Sequence, residues 1–472
     1  MRDEQREQRI RGDLAIKEKI GIASGQGFWG DRLSAPIEQV RRGPIDYLML
    51  DYLAEVTMSI LQKQRMRDPT QGYARDFVPL MGEILPDCAE KNIRVVANAG
   101  GVNLEACRDA VLAEARKAGL AGRVSVGVVA GDDIMPRLQQ LIAAGHPLNN
   151  LDTGRPLTDV LDQVQSANAY IGAQPIVEAL RRNATVVITG RSTDTALTYA
   201  PMAYEFGWAP DDWDKFAVGV AAGHINECGA QASGGNSLIA WQQVPNMADI
   251  GYPIIEAYPD GSFIVTKHEG TGGLVNRPVV TEQILYELGN PVDYITPDVV
   301  ADFTTMQIED AGPDRVRVHG VKGKPRTDRL KVSISYHAGY KAVGTLVYAW
   351  PNAVQKAEMA AQVLMERLHN MGHEYDAVRV EYVGWNATHG HLAGPPSEDM
   401  PEVELRMAVR STQKAPVEAF TRELAPLILT GPPSVTGFAG GRPRVQDIVA
   451  YWPALIDRQE IEPHLRVEVT EA

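Results

Sequence analysis

The sequence predicts an α/β chain: an N-terminal parallel sheet of repeated βαβ units, followed by a C-terminal α+β domain with a mostly antiparallel sheet. Three observations carry this. As far as about residue 210, short apolar runs alternate with longer amphipathic stretches. Those runs end in Gly, Asn, Asp or Ser, the residues that turn a buried strand into a helix. Beyond Pro291 the order changes to pairs of alternating runs followed by a helix. With 472 residues and ~150 per domain, two large domains are expected, 1–290 and 291–472, with no internal repeat and no low-complexity linker.

The first-domain strands are "KIGIAS" (Lys19–Ser24), "DYLMLD" (Asp46–Asp51), "IRVVANAG" (Ile93–Gly100), "VSVGVVAG" (Val124–Gly131) and "ATVVITG" (Ala184–Gly190). Helical periodicity covers Ala54–Arg65, Phe77–Lys91, Leu104–Lys117 and Ile134–Ala144, and another helix starts at Ser34 with Pro36 and Glu38 behind it. In such a fold ligands sit at the carboxyl ends of the strands. The loops that matter are therefore Ser24–Asp31, Asp51–Glu55, Asn98–Asn103, Ala130–Asp133 and Gly190–Thr195. Gly219–Gly273 holds several glycine clusters and is expected to be irregular. The second domain reads as strands "DRVRVHGV", "LKVSISY" and "GTLVYAW", a helix Asn352–Asn370, strands "AVRVEYVGW" and "VELRMAVRS", a helix Pro416–Leu429 and a last strand "LRVEV".

Composition narrows the function. A hydrophobic content of 44% with 22% charged residues belongs to a globular chain with a real core. A formal net charge of -14 argues against a nucleic-acid partner, which needs a basic face. Cys88, Cys107 and Cys228 form no C-x-x-C, so neither a disulfide framework nor a cysteine metal site is indicated. The charged "MRDEQREQRIRGDLAIKEK" lacks a signal-like apolar region and no run approaches ~18 apolar residues; a cytoplasmic protein without membrane contact is expected.

"GIASGQGFWGD" satisfies G-x-G-x-x-G, follows a strand and precedes Asp51 by a dinucleotide-like interval. Phe28 and Trp29 fill the turn, however, and the helix starts late, so pyrophosphate has no helix N-terminus to meet. The stretch reads as an aromatic-tipped loop whose Trp29 and Asp31 are substrate-binding candidates. "KHEGTGGLVNRP" places Gly270, Thr271, Gly272 and Gly273 before a helix that Asn276 can cap, with His268 and Glu269 as an adjacent acid and base; free amides there could hold an enolate oxygen. "GHINECGAQASGGN" puts His224 and Glu227 at i, i+3 on one helix face, with Asn236 behind, as a hydrogen-bonded polar cluster beside a pocket. "ITGRSTDTAL" puts Arg191 and Asp194 at a strand end, Arg191 suiting a carboxylate or phosphate clamp and Ser192 or Thr193 a helix cap. "ANAGGVN" offers Asn98 to the cleft and Asn103 as an N-cap. His389 and His391 read as exposed loop histidines, and "SVTGFAGGRPR" offers Arg442 to an anionic tail. No serine elbow, Walker A loop or H-E-x-x-H occurs.

Taken together, "GIASGQGFWGD", "DYLMLDYLAE", "ANAGGVN", "ITGRSTDTAL", "GHINECGAQASGGN" and "KHEGTGGLVN" resemble the acyclic terpene utilisation AtuA-like family of bacterial proteins. The resemblance implies a catabolic role in degrading branched isoprenoid acids as acyl-CoA thioesters, beside a carboxylase or small companion protein. The expected activity is a hydratase or lyase step on an acyl-CoA thioester or a small carboxylate. Glu227 or Glu269 moves the proton, His224 or His268 assists, Gly272 and Gly273 hold the enolate oxygen, and Arg191 or Arg442 binds the anionic tail. The alternative is a non-catalytic subunit that binds a metabolite or docks a partner. No metal ligand set and no cofactor is firmly indicated, acyl-CoA being substrate and a divalent metal left open. A homo-oligomer is expected.

Overall fold

The computed structural model describes residues 17–437 and 440–472; the charged stretch 1–16 and, in the "SVTGFAGGRPR" motif, Phe438 and Ala439 lie outside the described residues. Two compact units emerge, one running to Ser335 and including Tyr451–Ala472, the other Tyr336–Ala450.

The first unit begins with β1 (Ile20–Gln26), α1 (Ser34–Arg42), β2 (Tyr47–Leu50), α2 (Glu55–Arg67), α3 (Phe77–Lys91), β3 (Arg94–Ala97), α4 (Leu104–Lys117) and β4 (Ser125–Ala130). It continues through α5 (Leu138–Ala143), β5 (Val164–Ala169), α6 (Gln174–Arg181), β6 (Val186–Thr189), α7 (Ala196–Phe206) and α8 (Trp213–Asn226). Then come β7 (Ile254–Ala257), β8 (Phe263–Thr266), α9 (Arg277–Leu285), β9 (Tyr294–Ile295), β10 (Val300–Asp302), β11 (Gln307–Asp310), β12 (Val316–His319) and β13 (Lys322–Lys324). The chain passes to the second unit within β14 (Arg329–Ala349). There it forms α10 (Ala353–Asn370), β15 (Ala377–Val383), β16 (Glu402–Ser411), α11 (Lys414–Glu423), α12 (Leu427–Thr430) and β17 (Val435–Thr436). It returns within β18 (Gln446–Asp457) to end in β19 (Arg466–Glu471).

The apolar runs predicted as strands form the centre of a ten-stranded sheet, in the order β11-β12-β8-β7-β1-β2-β3-β6-β4-β19. β1, β2, β3, β6 and β4 are parallel; the flanking strands are antiparallel. The parallel strands are Val-, Ile- and Leu-rich because helices cover both faces. α1 packs on β1 and α4 on β4, and α1 and α4 each pack on α3; α6 packs on β4 and β6, and α7 on β1 and β2. The chain steps from β1 to β2 to β3, then reaches β4 and turns back to insert β6, so strand order reverses between β3 and β6. That reversal is where α/β sheets open a crevice at the carboxyl edge.

Expectations change in detail. Gly219–Gly273 is not irregular throughout: it includes most of α8 and all of β7 and β8. A Cβ on Gly219 would lie 2.6 Å from Tyr199 Cβ, and one on Gly223 would lie 2.5 Å from the Thr195 carbonyl. Those glycines serve close packing of α8 on α7, which is itself buried on nearly every side. "LKVSISY" and "GTLVYAW" are one 21-residue strand, β14. The terminal "LRVEV" run pairs with β4 of the first sheet, where its alternation of exposed and half-buried residues covers an edge. Residues 291–335, which the sequence assigns to the second domain, contribute β11 and β12 to the ten-stranded sheet, so the contact-defined division falls within β14.

In the second unit β16 pairs with β14 and β15, all antiparallel. α10 and α11 bury Ala357, Leu364 and Phe420 against Leu346, Leu405 and Met407 of that sheet. This is the antiparallel α+β arrangement predicted from the sequence.

Candidate functional site

The carboxyl ends of β1, β2, β3 and β6 bring a polar cluster together. Asp51 follows β2, and its backbone amide donates to the Gln26 carbonyl at the end of β1 (3.0 Å). Asn98, fully buried after β3, bridges inward: its Nδ2 donates to Asp51 Oδ1 (2.6 Å) and its Oδ1 accepts from the Tyr52 amide (2.6 Å). After β6, Arg191 is 1% exposed. Its guanidinium forks onto Asp194, donates to the Ser192 carbonyl (2.9 Å) and lies 4.2 Å over the Tyr170 ring. Tyr170, just past β5, donates its hydroxyl to Glu55 at the start of α2 (2.6 Å), and Lys331 of β14 lies 3.5 Å from the same carboxylate.

On the other side of β1, Gly27 fits where a Cβ would sit 2.9 Å from the Cys228 carbonyl carbon and 3.1 Å from the Glu227 carbonyl oxygen. Only glycine lets the end of α8 come this close. His224 Nε2–H donates to the Ile284 carbonyl (3.1 Å), which turns Nδ1 to Glu227 Oε1 at 3.1 Å. Tyr294 and Phe303 pack on the imidazole. Glu227 Oε2 is buried with no hydrogen-bond partner among the described residues. An unmet carboxylate oxygen costs free energy unless a proton or a ligand completes it.

The electrostatics divide the carboxyls into two kinds. Burial raises Asp51 far above the usual carboxylate range, and repulsion from Asp194 and Glu227 adds to it, while Arg191 and Asn98 pull the other way. Burial also raises Glu227, against the bond and charge of His224. Burial alone would depress His224, but Glu227 and the Ile284 carbonyl turn its net shift upward, so the pair keeps a proton between them. Glu55 behaves oppositely: burial would raise it, but the Tyr170 hydroxyl, Arg191 and Lys331 hold it down at about 2. Carboxyls pushed apart in this way are suited to acid and base roles.

Of the predicted site residues, His224, Glu227, Asn98, Arg191 and Asp194 join this cluster. Arg191 is not an open anion clamp, because its charge is already met by Asp194. Asn98 bonds to Asp51 and to the backbone. Trp29 packs against the core and bonds Asp76, which precedes α3, while Phe28 is exposed. Asp31 is a loop staple, its carboxylate accepting from the Gly27 and Arg32 amides and the Tyr252 hydroxyl. α1 starts at Ser34, where the sequence places it, beyond the glycines of the opening loop.

The second glycine loop is corrected. The amides of Gly272 and Gly273 donate to the carbonyls of Asp249 and Pro245, both at 2.8 Å, so neither is free to hold an enolate oxygen. His268 is buried, with Nδ1 at its neighbour's carbonyl, and is lowered by that burial; Glu269 and Gly270 are exposed, and the Thr271 hydroxyl donates to the His268 carbonyl. Asn276 does cap α9, accepting from the Val279 amide (3.0 Å). Asn103 does not cap α4 with its side chain, which instead donates to the carbonyls of Pro69 and Gln71. Neither Ser192 nor Thr193 caps α7, whose first flanking residue is Thr195. Asn236 is exposed, beside a small cavity under α9. Arg442, His389 and His391 are exposed residues of the second unit.

Sequence reasoning passed over Asp51, Glu55, Tyr170 and Lys331 as site residues. Asp51 carried a readable signal, an acid closing a buried strand; Tyr170 and Lys331 come from strands paired only in three dimensions.

A cavity of about 630 Å³ lies at the opposite, amino edge of the strands. Its cations have structural work there: Lys91 Nζ donates to the Val40 and Arg41 carbonyls, Arg123 to Ala89 and Arg94 to Leu180. These carbonyls end α1, α3 and α6, the negative poles of those helices. Among the described residues no His, Cys, Asp and Glu group converges closely enough to hold a metal ion, and no helix is long and apolar enough to cross a membrane.

Residues 20–467 match the profile described as Acyclic terpene utilisation family protein AtuA. No curated protein and no solved structure matches the chain.

Proposed function

The chain belongs to the acyclic terpene utilisation family, and on that premise we propose that it is a hydro-lyase acting on branched, α,β-unsaturated acyl thioesters, with coenzyme A as the thiol. The observation that carries this reading is Glu227: a largely buried carboxyl anchored through Oε1 on an oriented histidine, with a buried Oε2 that has no partner among the described residues. Adding water across an activated double bond requires a group that takes a proton from water as its oxygen reaches the β carbon. Glu227 takes that proton, and His224, fixed by the Ile284 carbonyl, stabilises the charge that moves. Around this pair, the charges of Arg191 and Lys331 are already met by Asp194 and Glu55, and among the described residues of the cluster no unpaired cation is left for an anionic group. The cluster therefore suits the uncharged reacting end of the substrate, and the anionic tail of a thioester lies outside it.

The test is incubation of the purified chain with a panel of branched 2-enoyl and 3-hydroxyacyl thioesters, read by mass. Gain or loss of one water by a panel member is expected. Tight binding of one member without any reaction would contradict the reading and would describe a metabolite-binding subunit instead.

A further inference from the structure

A hydration needs two proton transfers, and Glu227 accounts for one. Resting on the proposed hydration, we infer that Asp51 is the second catalytic carboxyl, the acid that protonates the α carbon, and that Asn98 is its positioning residue. The placement is geometric. Asp51 closes β2 next to the strand-order reversal and is 7% exposed. Its Oδ1 is tied to Asn98 and to the Leu53 amide, while no hydrogen bond to Oδ2 occurs among the described residues. Through its own amide it is bound to Gln26, and the next residue, Gly27, is the one that touches the backbone of Glu227. The two carboxyls thus flank the end of β1, in electrostatic reach of each other and of Asp194 and Arg191. Arg191 Nε, buried without a partner among the described residues, belongs to the same cluster.

The step balances as follows. Water oxygen bonds to the β carbon while Glu227 takes its proton. The π pair moves to the α carbon, which takes the proton from Asp51, leaving Asp51 ionised and Glu227 protonated. Transfer of one proton from Glu227 to Asp51 through water restores the starting state, and no oxidant or other co-reactant is consumed. Burial keeps Asp51 protonated before the step, and Asn98 stabilises the carboxylate formed by it.

Deuterium exchange separates the two roles. With the saturated 3-methylbutanoyl thioester in D2O, the wild-type chain is expected to exchange its α protons along an alkaline limb, because Asp51, once ionised as pH rises, can remove one without any water being added. Glu227→Gln should keep this exchange while losing hydration of the 3-methyl-2-enoyl thioester. Asp51→Asn, whose amide oxygen can still accept from Asn98, should lose both by about 100-fold or more. Asn98→Ser removes the donor that favours ionised Asp51, so its exchange limb should move to higher pH, a shift that a purely structural role would not produce. This second variant decides the matter if Asp51→Asn does not fold. Full exchange in Asp51→Asn, or an unmoved limb in Asn98→Ser, overturns the role of Asp51 while leaving hydration standing. A wild-type chain that hydrates nothing and exchanges nothing overturns both.

Discussion

Removing Asp194 should cost more stability than removing the arginine it serves. Arg191 is almost wholly buried, and its guanidinium makes two contacts with Asp194 besides one to the Ser192 carbonyl. In Asp194→Ala the charge stays buried without its nearest counter-ion. Breaking a fully buried pair in this way costs about 3–5 kcal/mol. The Asp194 side chain is 32% exposed, so solvent already screens part of the attraction, and Glu55 and the Tyr170 ring continue to attract the cation. The discounted cost is about 2–3 kcal/mol, or about 3–4 °C in the melting of the first unit. Arg191→Met removes the buried charge itself, leaves Asp194 access to water and keeps packing on Tyr170, so its cost should be smaller. Calorimetry of the two variants gives the order. A melting point for Asp194→Ala equal to wild type, or Arg191→Met as the less stable variant, would refute the reasoning.

Two further outcomes follow from the same physics. Asp132 is 2% exposed, accepts from the Arg191 amide and Asn168, and is pushed up to about 7 by burial. Its folded value lies above the unfolded value of ~3.9, so its stabilising contribution is complete below about pH 4 and is lost as pH rises through 7; urea denaturation of Asp132→Asn at pH 5 and pH 8 should show less loss across that window than wild type. Gly223→Ala forces a methyl to within 2.5 Å of the Thr195 carbonyl, so α8 and α7 must part, and the melt should report a loss of about 1–3 kcal/mol.

The sequence revealed those parts of the fold in which neighbours along the chain decide the outcome. β1, β2, β3, β4 and β6 lie where apolar runs place them, and α3 and α4 begin and end where periodicity puts them. The destination of β19 was hidden, because its pairing with β4 joins residues more than three hundred positions apart. The same holds in the site. His224 and Glu227 meet because i, i+3 spacing on a helix makes them meet. The amides of Gly272 and Gly273 looked free because the carbonyls that occupy them belong to Asp249 and Pro245, which no local pattern links to that loop. Asp51 was visible as a strand-ending acid, but its importance depends on Asn98, Arg191 and Glu227, each from a different segment.

The measurement that bears most directly on the central claim is the hydration rate of a 3-methyl-2-enoyl thioester by wild type and by Glu227→Gln, with folding checked by circular dichroism. Glu227→Gln keeps the shape and removes the proton acceptor, so a folded variant slowed about 100-fold to 10,000-fold is predicted. A folded Glu227→Gln that hydrates as fast as wild type would contradict the account.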